Sequence, residues 1–130
     1  MKNEARAGLS RIGQIAITVK DLGRAVAFYR DVLGMRLLFE APPKLAFFDA
    51  GGVRLMLSLP EKPEFDHPAS ILYYVVADIQ AEHEYLRRRG VVFSGHPHLV
   101  AKLPDHELWL DFFSDSEGNT LALMSEVPTT

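Results

Sequence analysis

Three of the chain's five histidines fall in one short stretch, "SGHPHLVAKLPDHELWLDFF", as His96, His98 and His106. Imidazole is the side chain best suited to bind a transition metal or to move a proton near neutrality. His96 and His98 flank Pro97, so an unbroken strand would turn both rings to one face. A third donor from His106 or Glu107 would then complete a zinc-type set. Without a metal, His98 or His106 is a candidate general base if either ring faces a cavity. The competing expectation is that Pro97 breaks the strand and Asp105-His106 closes a turn. His83 shares a helix face with Ile79 and Leu86, which predicts a packed, hydrogen-bonded ring, and His67 lies in a proline-rich linker. The chain has no cysteine, which removes thiolate nucleophiles, disulfides and zinc ribbons. It has no Walker loop, no GxGxxG after a strand, no GxSxG elbow and no HExxH.

The elements that position these residues repeat. In "GQIAITVKDLGRAVAFYRDVLGM" (13–35), Ile15, Ile17 and Val19 alternate with Gln14, Ala16 and Thr18, the pattern of a half-buried strand. Asp21 can cap the helix that follows, Val26, Tyr29, Val32 and Leu33 form its apolar face, and Gly34 suits a left-handed stop. The spacing predicts a helix over 22–33 and strands near 36–41, 44–50 and 53–59. After the linker "LPEKPEFDHP" (59–68), "SILYYVVADIQAEHEYLRRRGVVF" (70–93) has the same plan, with Asp78 as cap and Gly90 as stop. A helix is predicted over 79–89 and strands near 91–98, 107–114 and 119–125. "FFDAGGVRLML" (47–57) and "FFSDSEGNTLALM" (112–124) also match. Each half therefore reads as a βαβββ module, too small to bury a sufficient core alone, so the two should pack together. The expected division is a flexible tail over 1–11, modules over 12–60 and 70–126, and a linker over 61–69.

At 130 residues, 48% hydrophobic and 24% charged, the chain has the composition of one soluble globular domain. A net charge of −3 argues against nucleic-acid binding through bulk charge. Arg87-Arg88-Arg89 suits a solvated helix end. The first residues lack the apolar core of a secretory signal, and no run reaches a membrane span, so a cytoplasmic protein is expected. Asp111, inside an apolar strand, needs a partner if buried, with Arg54 as a candidate. Asp49 with Arg54 is a second, local pairing.

"IAITVKDLGRAVAFYRDVLGM" and "FFSDSEGNTLALMSE", with its Asp-x-x-Gly-Asn ending, resemble the vicinal oxygen chelate superfamily, which includes glyoxalase I, methylmalonyl-CoA epimerase, extradiol dioxygenases and the fosfomycin and bleomycin resistance proteins. The resemblance covers residues 12–126. It implies an α+β fold of two βαβββ modules whose curved mixed sheets enclose a concave cavity, usually within a homodimer. It also implies four metal-ligand positions, which in this chain are Gln14, Met56, Ile71 and Ala122. Isoleucine and alanine cannot ligate, and a thioether is a poor partner for a hard divalent ion. Gln14 is then expected to hydrogen-bond inside the cavity rather than to hold a metal.

The same strand faces imply a ligand site of Gln14, Met56, Ser58, Ile71, Tyr73 and Ala122, with Trp109 beside it. Such a lining is mostly apolar with sparse polar points. The leading expectation is a metal-free protein that binds an apolar or aromatic small molecule, with no cofactor. The alternative is an isomerase, epimerase or lyase acting on an α-oxygenated carbonyl compound. It would use His98 or His106, or a divalent metal at a rebuilt site among His96, His98 and His106. A third expectation is a closed cavity and a role in protein interaction.

Overall fold

The structure is a computed structural model that describes residues 8–41 and 43–129. The expected tail over 1–11 lies largely outside the described residues. The first module runs β1 (Gln14–Thr18), α1 (Leu22–Ala27), β2 (Arg36–Ala41), β3 (Leu45–Ala50) and β4 (Val53–Ser58). Its strands form a mixed sheet in the order β1-β4-β3-β2, with β1 parallel to β4 and the rest antiparallel. The second runs β5 (Leu72–Val75), α2 (Ile79–Arg88), β6 (Val92–Phe93), β7 (His98–Lys102), β8 (His106–Ser114) and β9 (Thr120–Pro128). Its sheet has the order β5-β9-β8-β6, with β7 also paired to β8 and β5 parallel to β9. The two βαβββ modules inferred from the repeat are thus present, as two mixed sheets and not one closed barrel. Among the described residues no helix is long and apolar enough to cross a membrane.

Local chemistry sets the element ends. Asp21 accepts the amide of Arg24 at 3.0 Å and Asp78 that of Ala81 at 3.0 Å, satisfying donors left free in each first turn. Gly34 and Gly90 hold φ of 75° and 93° where the helices stop. Two expected boundaries differ. The helix predicted over 22–33 is α-helical only to Ala27 and continues as a wider π turn over Phe28–Val32, in which the Leu33 amide reaches the Phe28 carbonyl. The strand predicted over 91–98 is broken, because the chain leaves the sheet between Phe93 and His98, around Pro97, which has no amide to donate.

One core joins the modules. Ile17, Val19, Val26, Tyr29, Phe48, Leu55 and Leu57 cluster with Ile79, Leu86, Val91, Phe113, Leu121 and Leu123. The strand residues among these lie on the sheet faces that Val26, Tyr29, Ile79 and Leu86 of the helical segments cover, so the core is shared between the halves. Asp111 is buried there, but its partner is His83 and not Arg54, which lies in the other sheet. His83 Nδ1 stands 2.7 Å from Asp111 Oδ2. Burial pushes the Asp111 carboxyl up, against the pull of the nearby His83, His98 and His96. The packed His83 anticipated from the helix pattern is thus also the answer to the buried acid.

The polar seam between modules is built by the turn "DSEGN". Tyr29 donates its hydroxyl to Asp115 Oδ2 at 2.6 Å, and Asn119 Nδ2 donates to the Thr18 carbonyl at 3.0 Å. Glu117 Oε1 accepts the backbone amides of Lys20 and Asp21 at 2.8 and 2.9 Å. Arg24 Nε and the Ser116 hydroxyl both donate to Glu117 Oε2, at 2.8 and 2.9 Å. Desolvation raises the Glu117 carboxyl, but the bonds from Arg24, Asp21, Lys20 and Ser116 outweigh it and bring the pKa from 4.5 to about 2. A folded-state pKa below the unfolded one means stability present above about pH 4.5 and lost as pH falls toward 2. Its size is about 3 kcal/mol. Glu117→Gln should lower stability at pH 7 by an amount of this order and flatten the dependence between pH 4.5 and 2, read from denaturant midpoints across that range. An unchanged acid limb would show that the seam does not carry it.

Candidate functional site

Each sheet has a second face that no helix covers, and the strand register fixes what stands on it. In the first sheet, Gln14 lies beside Arg54 and Arg54 beside Asp49. The next row on that face is Ala16, Met56, Phe47 and Phe39, and the third is Thr18, Ser58, Leu45 and Ala41. The linker comes back over this face. Thr18 donates its hydroxyl to the Phe65 carbonyl at 3.1 Å, and Lys44 reaches Glu61 at 3.4 Å. The result is a cavity of about 350 Å³ with a floor of Ala16, Met56 and Leu45, polar points at Thr18 and Ser58, and a rim of Glu61, Phe65 and His67.

Of the residues expected to line a site, Gln14, Met56 and Ser58 therefore share this face. Ile71, Tyr73 and Ala122 lie on the corresponding face of the second module, with Tyr73 beside Ala122 and Ala122 beside Phe112. Ile71, Tyr73 and Val75 are exposed there, at 43%, 46% and 73%. The cavity over the first sheet takes no residue from this second set. Trp109 is not with either set. It packs toward the core, donates its indole N–H to Glu107 at 3.2 Å, and lines a separate cavity with Asp78 and Ser125.

The structure does not gather the histidines. The His96 ring lies 5.4 Å from that of His83 on the helix-covered side. The His98 ring stacks at 6.2 Å on Phe112, which meets Tyr73 edge-on at 6.0 Å, so His98 shares the face of Tyr73. Its Nδ1 is 3.0 Å from the His96 carbonyl. A carbonyl only accepts, so Nδ1 carries the proton of the neutral ring and Nε2 keeps a free lone pair. His106 bonds Asp105 at 2.8 Å, and its Nε2 lies 3.4 Å from Glu126 without the geometry of a hydrogen bond. Among the described residues no group of three His, Asp or Glu side chains is arranged to hold a metal ion.

The four positions at which the superfamily places ligands do not suit a metal either. Ile71 and Ala122 offer no donor. The Gln14 amide oxygen already accepts Arg54 Nε at 3.1 Å, and its amide nitrogen points at Met56 Sδ, 3.7 Å away. A divalent ion on that oxygen would lie against a guanidinium of like charge.

Sequence reasoning overlooked Arg54, which was read only as a partner for an acid. The strand alternation already carried the signal, since Arg54 and Met56 are two residues apart and so face the same way. The linker's role as a roof had no such signal. It depends on a tertiary bond from Thr18.

A family model described as "Glyoxalase/Bleomycin resistance protein/Dioxygenase superfamily" matches residues 11–123. No curated protein matches the chain in sequence. Among solved structures, a member of the glyoxalase/bleomycin resistance protein/dioxygenase superfamily from Sphaerobacter thermophilus is 23% identical, covering 91% of this chain and 98% of that one, with a TM-score of 0.75. A lactoylglutathione lyase from Agrobacterium tumefaciens is 22% identical over 89% and 93%, with a TM-score of 0.67. An antibiotic binding protein from a Streptomyces species is 23% identical over 93% and 99%, with a TM-score of 0.68. At these identities the structures speak for the fold, and the family model speaks for membership: the chain belongs to the glyoxalase/bleomycin resistance protein/dioxygenase superfamily.

Proposed function

We propose that this is a cytoplasmic small-molecule-binding protein that takes an apolar or aromatic ligand on the helix-free face of its first sheet, without the metal used by many relatives. The observation that carries the reading is the cavity floored by Ala16, Met56 and Leu45 and roofed by Phe65, together with metal-ligand positions filled by Ile71 and Ala122. A pocket of a few hundred Å³ with few polar points suits a compact ring system. The similar fold of an antibiotic binding protein agrees with this use.

Titration with the neutral fluorophore N-phenyl-1-naphthylamine tests the reading. Binding should survive EDTA, and Ala16→Phe, which fills the floor, should weaken it at least tenfold. Protein purified without chelator should carry well under one equivalent of divalent metal. One tightly held equivalent whose removal abolishes binding would overturn the reading.

The partner proposed is a second copy of the chain. Ile71, Tyr73 and Val75 leave a stripe of large apolar side chains exposed on the second module, and Phe39 is 48% exposed on the first. Crossing the second module of one chain over the first module of its partner would cover both faces and close the cavity. Light scattering should therefore give twice 14.6 kDa at micromolar concentration. Val75→Asp should shift the protein to monomer, and a monomeric wild type would end the proposal.

A second reading, an isomerase, epimerase or lyase, is favoured by the free Nε2 of His98 on the face of Tyr73. That nitrogen can take a proton from a carbon beside a carbonyl group. A His98→Ala/His106→Ala double variant with undiminished turnover of any substrate found would remove this reading.

A further inference from the structure

Arg54 is exposed on the ligand face, and its surroundings hold it in one pose. Gln14 Oε1 accepts its Nε at 3.1 Å, and Gln14 is itself oriented by Met56 Sδ. The guanidinium lies over the Phe47 ring, 5.4 Å from the centroid. Phe47 in turn stacks on Phe39 at 4.4 Å with 24° between planes. Guanidinium and two rings thus form a layered edge to the groove. A cation over a ring face is held by the ring's quadrupole, with its plane presented to whatever lies beside it.

The charge of Arg54 is not spent within the protein. Asp49 is its neighbour across the strands, yet it forms no ion pair with Arg54 and accepts the Gly52 amide at 3.2 Å. Among the described residues Arg54 makes no bond to a carboxylate. Arg54 and Arg11 line a second cavity on this face, of about 490 Å³, next to the roofed one, with Gln14, Leu38, Asp49 and Gly52. Two guanidiniums against one carboxylate give this spot a positive balance on a chain whose net charge is −3. Successive rows on one strand face are about 7 Å apart. A fused or biaryl ring system over Ala16 and Met56 therefore reaches the terminal nitrogens of Arg54 with a substituent at its edge.

Resting on the binding reading above, we propose that Arg54, positioned by Gln14, recognises an anionic group, a carboxylate or sulfonate, on an aromatic ligand. The two free terminal N–H₂ groups match the paired oxygens of such an anion, and the charge-assisted bonds give the groove a sign preference that its apolar floor lacks. Gln14 is a positioning residue. It holds Nε so that the terminal nitrogens face the groove.

The test uses a matched pair of probes, 8-anilinonaphthalene-1-sulfonate and the neutral N-phenyl-1-naphthylamine, which differ by the sulfonate. The wild type should bind the sulfonate about tenfold more tightly than the neutral probe, and the preference should shrink as salt rises. Arg54→Gln should lose about tenfold in sulfonate affinity and stay within twofold for the neutral probe. Gln14→Ala should lose a smaller factor in the same selective way. Arg88→Gln, at an exposed site on α2, should change neither probe, and matching melting curves would confirm that the variants fold. If Arg54→Gln leaves sulfonate binding intact while Ala16→Phe abolishes both probes, anion recognition by Arg54 is overturned and the groove stands. If the wild type binds neither probe, the groove reading falls and this proposal falls with it.

Discussion

The Glu117 carboxylate is the constraint on which the arrangement of the two modules depends. Its side chain is wholly buried, yet it stays ionised, because two backbone amides of the β1–α1 turn, Arg24 and Ser116 all donate to it. A buried charge with this many donors is stable only while those donors keep their places. Lys20, Asp21 and Arg24 belong to the first half of the chain and Glu117 to the second, so these bonds fix how the halves meet. Tyr29 and Asp115 extend the seam into the core, where burial and the Asp115 charge raise the tyrosine pKa and keep its hydroxyl a donor. With the helix-covered faces locked together here, the uncovered faces stay outside the seam.

The internal symmetry of the sequence is broken at this seam. "DAGG" in the first module and "DSEGN" in the second occupy equivalent places, but Asp49 closes only its own turn through the Gly52 amide, whereas Asp115 and Glu117 reach across to the other module. The second module also carries longer closing strands, nine residues against six, and a buried hydrogen-bonded pair, His83 with Asp111, under its helix. The two sheets share one plan but carry different side chains on their uncovered faces. One half holds the roofed groove, and the other exposes Ile71, Tyr73 and Val75.

Much of the fold was legible because it is written in local chemistry. An alternating run, an aspartate cap, a 3.6-residue stripe and a glycine stop each act within a few residues, and all four recur. The π turn after Ala27 was not legible, since Val26, Tyr29, Val32 and Leu33 are spaced as on an ordinary α-helical face. The break around Pro97 was foreseen as a risk to the histidine pair, and there it separates His96 from His98. Of the site, the residues of each face could be read from alternation alone. Which sheet face a helix covers is a tertiary fact, and it is what sent Trp109 to the opposite side from Tyr73. Asp111 was correctly seen to need a partner, but Arg54 proved to lie in the other sheet.

The relation of Gln14 to Arg54 also bears on chemistry. A divalent ion, where one is held, would supply a Lewis acid that binds oxygens by direct coordination. A guanidinium beside the same glutamine can orient and neutralise an anion, but it forms no coordinate bond and its charge is spread over three nitrogens. It recognises an oxygen that is already negative better than it creates one. Catalysis requires tighter binding of the transition state than of the ground state, and a cation matched to a ground-state anion does the opposite. The guanidinium beside Gln14 is thus suited to orienting an anion and not to coordinating one as a metal ion would.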